Sequence, residues 1–134
     1  MDLGAVMDEV GTRLGGIDGL RVYDYPADSV TPPAAIVAYP DEIVYDETYG
    51  RGMDRLTLPV LVVVGRQSDR ASRDNLVGYA SGSGDKSVKQ KLEDDSYDSC
   101  DVVRVERAEF DIVRIAGVDY VAAMFDLDVT GQGD

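Results

Sequence analysis

A chain of 134 residues with one cysteine and no histidine can bury one core, but it lacks the commonest general base and transition-metal ligand and can form no internal disulfide. Its formal net charge of −13 repels nucleic-acid phosphates, which argues against a protein that grips DNA or RNA. With 44% hydrophobic residues it reads as globular rather than disordered, and as a single domain over residues 1–134.

The first residues, MDLGAVMDEV, carry acid where a signal peptide carries base, and no apolar run approaches the ~18 residues of a membrane span. The expectation is a protein that folds where it is made. Residues 2–14 predict a helix, because Leu3, Val6, Met7, Val10 and Leu14 recur at steps of three and four. Asp2 suits its N-cap, and Gly15-Gly16 is expected to end it through positive φ.

Residues 20–25 (LRVYDY) predict a short strand closed by Pro26, and residues 27–33 a proline-bounded loop. A second apolar strand follows over 34–39, and residues 42–46 alternate again. The glycine-containing stretch 47–52 is expected to be the tip of a hairpin between 43–46 and 53–57. The longest strand signal is 53–64, with Gly65 as its stop. Leu56, Leu58, Val60, Val62 and Val64 share one face by period two, and Arg55 and Thr57 begin the other. Pro59 cannot donate to a ladder, so the expected place for it is a bulge or an edge, with residues 50–58 only half buried and one edge free.

Ser68 or Asp69 caps a predicted helix to about Ala80, with Leu76, Val77 and Ala80 inward. The run SGSG over 81–84 breaks it. Residues 86–93 predict a further short helix anchored by Val88 and Leu92, and the acidic stretch 93–101 an exposed loop. Residues 102–115 and 118–129 flank Ala116-Gly117, a two-residue turn that fixes a long hairpin. Its register sets Ile112 against Val121, Phe110 against Ala123, Ala108 against Phe125, Arg107 against Asp126 and Arg114 against Asp119, so apolar pairs coincide and opposite charges meet. The total is α+β: a mainly antiparallel β-sheet with helices packed on one side.

Few motifs carry chemistry. Asp126-Leu127-Asp128-Val129-Thr130 matches the DxDxT pattern of haloacid-dehalogenase-type phosphatases, in which the first Asp attacks phosphorus and the second is the acid/base. That mechanism needs the strand early in a doubly wound sheet, whereas here it is the second arm of a hairpin, where strand acids paired with Arg107 are the simpler reading. Residues 82–87 (GSGDKS) imitate a phosphate loop, but Asp85 precedes the lysine and the segment follows a helix, so a helix–helix linker fits better. Glu93, Asp94, Asp95, Asp98 and Asp101 could offer oxygen ligands to calcium, against the plainer reading of a solvated acidic loop. Cys100 reads as a small residue at a strand start. Eight tyrosines against two phenylalanines and no tryptophan suit half-buried surfaces, including subunit interfaces.

Three stretches together, GLRVYDYPADSVTPPAAIVAYP, YGRGMDRLTLPVLVVVGRQSDRASRDNL and SGSGDKSVKQKLE, followed by a closing hairpin ending near AAMFDLDVTG, carry a resemblance over almost the whole chain. The sequence resembles the tail terminator proteins, also called minor tail or tail-completion proteins, of siphophages infecting actinobacteria. The resemblance implies a fold like that of the phage lambda tail terminator and no catalytic residue, metal or cofactor. It implies a homo-oligomer, a hexameric ring, that caps the tail tube at its head-proximal end, stops tube polymerisation and docks the head-completion (neck) proteins. DNA would pass through the lumen without specific binding. The protein would be made in the bacterial cytoplasm, lie in the virion tail and bind no membrane. A head–tail connector or a tail tube subunit is the neighbouring alternative; a small phosphatase using Asp126 and Asp128 is the remote one. The hairpin tip, with Tyr45, Glu47, Tyr49, Arg51, Met53, Asp54 and Arg55, is the expected subunit or tube interface.

Overall fold

The computed structural model describes residues 1–23, 31–45, 52–66, 69–94 and 96–132. The chain runs α1 (Leu3–Leu14), β1 (Arg21–Tyr23), β2 (Ala34–Val37), β3 (Ile43–Val44), β4 (Met53–Arg66), α2 (Arg70–Ala80), α3 (Val88–Glu93), β5 (Val102–Ile115) and β6 (Val118–Gln132). The strands form one sheet in the order β1-β2-β4-β6-β5, with β3 also paired to β4. Every pairing is antiparallel except β1 with β2. The fold is α+β, with a mostly antiparallel six-stranded sheet.

Local sequence chemistry accounts for the helices. The Asp2 carboxylate accepts from the Ala5 N–H and caps α1, and Val6, Met7, Val10 and Leu14 are its buried stripe. Gly15 ends α1 in ordinary right-handed geometry, with φ −61°, so the expected left-handed stop at Gly15-Gly16 does not occur; Gly19 carries the positive φ instead. Asp69 caps α2 through the Ala71 N–H, and Ser87 caps α3 through the Gln90 N–H. Val88 and Leu92 anchor α3 as their spacing predicts.

One apolar cluster joins all three helices to one face of the sheet. Val10 and Leu14 of α1, Tyr79 of α2 and Leu92 of α3 belong to it, with Leu58, Val60 and Val62 of β4 and Phe125 and Leu127 of β6. The even-numbered residues of β4 from Leu56 to Val64 are all buried there, as period two requires. On α2 the inward residues are Ser72 and Tyr79, with Leu76 partly buried, whereas Val77 faces solvent. The inner stripe therefore runs Ser72–Leu76–Tyr79, spaced four and three, and Val77 falls outside it.

β4 is not an edge strand. β6 covers one side from Met53 to Arg66, and β3 and β2 cover parts of the other. Pro59 is tolerated because it falls between the stretch paired to β3 (Leu56 and Arg55) and the stretch paired to β2 (Val60 to Val63). Its carbonyl still accepts from the Ala38 N–H at 3.0 Å. The bulge in β4 lies between Val63 and Gly65, so the strand continues through Gly65 to Arg66 instead of stopping there.

The closing hairpin has the register its sequence predicts from Ile115↔Val118 to Arg107↔Asp126. Both turn residues, Ala116 (φ 51°) and Gly117 (φ 79°), take the positive φ that a type I′ turn demands. Beyond Arg107 a bulge shifts the pairing by one residue, so that Val105 faces Leu127 and Val103 faces Val129.

Gly65 lies where α2 crosses the sheet. A β-carbon there would stand 2.3 Å from Ser72 Oγ and 3.3 Å from Ser72 Cβ. Gly65→Ala should therefore lower stability by about 1–3 kcal/mol, as overpacking does, and Ser72→Ala should recover part of the loss. Urea unfolding of both variants checks this; an unchanged midpoint for Gly65→Ala would count against the close contact.

Candidate functional site

Two arginines and two aspartates order the sheet face opposite the helices. Arg55 grips Asp128 with two parallel bonds, Nε to Oδ1 at 2.8 Å and Nη2 to Oδ2 at 2.9 Å. The fork geometry of guanidinium and carboxylate makes this the stronger kind of ion pair. Arg107 lies opposite Asp126 in the hairpin, with Nε 3.8 Å from Oδ2. Asp126 and Asp128 are two residues apart on β6 and so share this face. They line or adjoin an open groove of about 670 Å³ that runs from Asp41 and Val44 past Arg55, Thr57 and Pro59 to Arg107 and Asp126.

In this groove Arg55 and Arg107 each face a β6 aspartate, while Asp41, Glu42 and Glu106 add further carboxylates and leave the lining acidic. Each aspartate of the DxDxT run is held by an arginine on a neighbouring strand. The run lies in the interior of antiparallel β6, not at a strand end opening into a helix. Among the described residues, no three acidic or cysteine side chains converge on a possible metal position.

The tip residues separate into different environments. Tyr45 is exposed, and Val44 pairs with Arg55. Met53 is half-buried and pairs with Gln132. Asp54 is only 4% exposed: its carboxylate turns inward, 3.6 Å from the Met1 ammonium, and Met1 also donates to the Gln132 carbonyl at 3.0 Å. Asp54 therefore leaves the set of surface candidates, and Arg55 spends its guanidinium on Asp128. Glu47, Tyr49 and Arg51 lie outside the described residues. The expected free edge of the 50–58 stretch is taken, over residues 53–58, by β6 on one side, while β3 pairs on the other side at Arg55 and Leu56 alone. Among the described residues, the long unpaired edge is that of β5.

The acidic stretch 93–101 is tied down and not simply exposed; Asp95 lies outside the described residues. Glu9 of α1 accepts from the Ser99 hydroxyl at 2.6 Å, from the Ser99 N–H at 2.9 Å and from the Asp98 N–H. Arg13, one turn on, donates to the Ser96 carbonyl and stacks 3.7 Å from the centre of the Tyr97 ring. Tyr97 is buried, with its hydroxyl donating to the Leu92 carbonyl at 2.7 Å. Cys100 is buried too, and burial pushes its thiol up to about 11, so it behaves as a small core residue. Glu93 accepts from Lys89 and from the Val105 N–H, each at 2.7 Å. Residues 81–87 link α2 to α3, with Lys86 bonded to Asn75 and the Gly84 N–H to Gln90.

No family model and no curated protein matches this chain.

Burial alone would raise the Glu9 carboxyl, but the bonds from Ser99 and Asp98 and the charge of Arg13 outweigh it and hold the group below the ordinary 4.5. A carboxyl lowered by folding stabilises the fold above its unfolded value, and that contribution disappears as pH falls through the folded value. Glu9→Gln should therefore lower the thermal midpoint at neutral pH and flatten its fall below pH 4.5. Thermal unfolding across pH 3 to 7 tests this (roughly the carboxylate titration range); identical slopes in variant and wild type would remove Glu9 as a contributor.

Proposed function

We propose that this chain is a structural subunit of a phage tail terminator, with a fold like that of the phage lambda tail terminator. Copies of it form a ring, a hexamer in this reading, at the head-proximal end of the tail tube. The ring stops tube growth and presents its far surface to head-completion proteins. The observation that carries the reading is the resemblance along almost the whole chain, from GLRVYDYPADSVTPPAAIVAYP to AAMFDLDVTG.

Three physical features support it. A ring through which DNA slides should not bind phosphates, and −13 per chain, multiplied around a ring, disfavours binding. The sheet has different strands at its two sides, β5 at one and β1 with β3 at the other. A subunit with unlike sides suits head-to-tail contacts, which close into rings when the rotation permits. The Asp126 and Asp128 carboxylates, the one pair with a catalytic precedent in sequence, are occupied by Arg107 and Arg55, which favours a structural role for them.

Purified protein incubated with growing tail tubes should appear by electron microscopy as one ring at one end and should halt elongation. Continued growth with the protein incorporated along the tube would identify a tube subunit instead. Tubes whose ends never carry the protein would overturn the terminator reading.

A further inference from the structure

The sheet carries two exposed apolar patches on opposite sides of β4. On the β5 side, Phe110 is 60% exposed and Val77 of α2 is 61% exposed, with Ile112 also open to solvent. Phe110, Leu76, Val77 and Ala80 line an almost wholly apolar groove of about 430 Å³ with Arg73 at its rim. On the β3 side, Tyr39 is 64% exposed and Tyr45 68%, with Val44 exposed between them. The strand order separates the patches by the width of the sheet, so they cannot meet within one chain.

The two patches are complementary rather than alike. The 39–45 segment reads YPDEIVY, two tyrosines enclosing exposed Asp41 and Glu42. Tyrosine fits an apolar groove with a wet rim, because its ring can be buried while its hydroxyl stays near water. Arg73 is the charged residue that lines the groove. Arg70 and Arg73 stand one turn apart on α2, and the Arg73 side chain is largely exposed, with Asp74 3.7 Å away. Two acids on the segment can meet this exposed guanidinium, which gives the contact a direction.

A symmetric contact between two β5 edges is disfavoured by the same sequence. Antiparallel pairing centred on Phe110 would set Glu109 against Asp111, and pairing centred on Asp111 would set that residue against itself. Like charges directly opposite destabilise a strand pair.

We infer that the groove between α2 and Phe110 receives the 39–45 segment of a second copy of this chain. Tyr39 and Tyr45 supply the aromatic anchors, and Asp41 and Glu42 face Arg73. The contact is head-to-tail: each copy offers a segment on one side and a groove on the other. It deepens the ring reading and rests on that reading only for closure.

The test uses two variants of the full chain, a groove variant (Val77→Glu with Phe110→Glu) and a segment variant (Tyr39→Ser with Tyr45→Ser). All four residues are exposed, so both should keep the wild-type circular dichroism and unfolding midpoint. By sedimentation, wild type should assemble, and each variant alone should self-associate at least ~100-fold more weakly, the loss expected of central aromatic anchors. An equimolar mixture should form heterodimers that grow no further, because each variant keeps one intact side. Variants that assemble like wild type would overturn this contact while leaving the ring standing. Wild-type filaments that either variant abolishes would support the contact and overturn closure. A segment variant that still assembles while the groove variant does not would overturn the 39–45 segment as occupant. A wild type that is monomeric at all concentrations would overturn both.

Discussion

The antiparallel pairing of β4 with β6 is the constraint on which the rest depends. It runs from Met53↔Gln132 to Arg66↔Tyr120, and period two fixes what each residue of both strands must do. One face supplies Leu58, Val60, Val62, Phe125 and Leu127, against which all three helices pack. The other face carries Arg55, Asp126 and Asp128, and their charges are satisfied across strands. A slip of one residue would turn the aspartates into the apolar cluster and the valines into water, so core and ionic row enforce the same register. β2 and β3 then share the remaining side of β4, and β5 is placed by β6.

Much of this was legible because its determinants are local. The hairpin from 102 to 132 declares itself through alternation and a turn whose two residues need positive φ, and its pairing near the turn follows directly. The helix caps Asp2, Asp69 and Ser87 are equally local. What was not legible depends on residues distant in sequence. Pro59 looks like an edge residue, yet it sits on a central strand, because the partner on that side is split into β2 and β3. The inner stripe of α2 is set by close approach to Gly65, which admits Ser72 and brings Tyr79 inward while leaving Val77 outside. The acidic stretch looks solvated by composition, but Glu9 and Arg13 on α1 supply the acceptors and donors that hold it.

The candidate contact residues divide along the same line. Exposure of Tyr45 fits its polar, acidic neighbourhood in sequence. The inward turn of Asp54 does not, since its partner is the ammonium at the other end of a long separation in sequence. Phe110 and Ile112 look like core residues by their pairing with Ala123 and Val121. Phe110 stays exposed because α2 leaves an open groove beside it, walled by Leu76, Val77 and Ala80, instead of covering it. An alternating pattern says which residues share a face; it does not say how far the cover extends.

Glu93 has a consequence for the open strand β5. An uncovered strand invites any extended chain to pair with it, including misfolded copies. Here the Glu93 carboxylate of α3 accepts from the Val105 N–H, at 2.7 Å, just where the bulge between Val105 and Arg107 breaks the regular spacing. A stopper and a dislocation thus sit side by side. Together they interrupt the edge at 105–107 and leave 107–115 as its longest regular run. The protein keeps a short reach of adhesive backbone without presenting a seed long enough for runaway fibre growth.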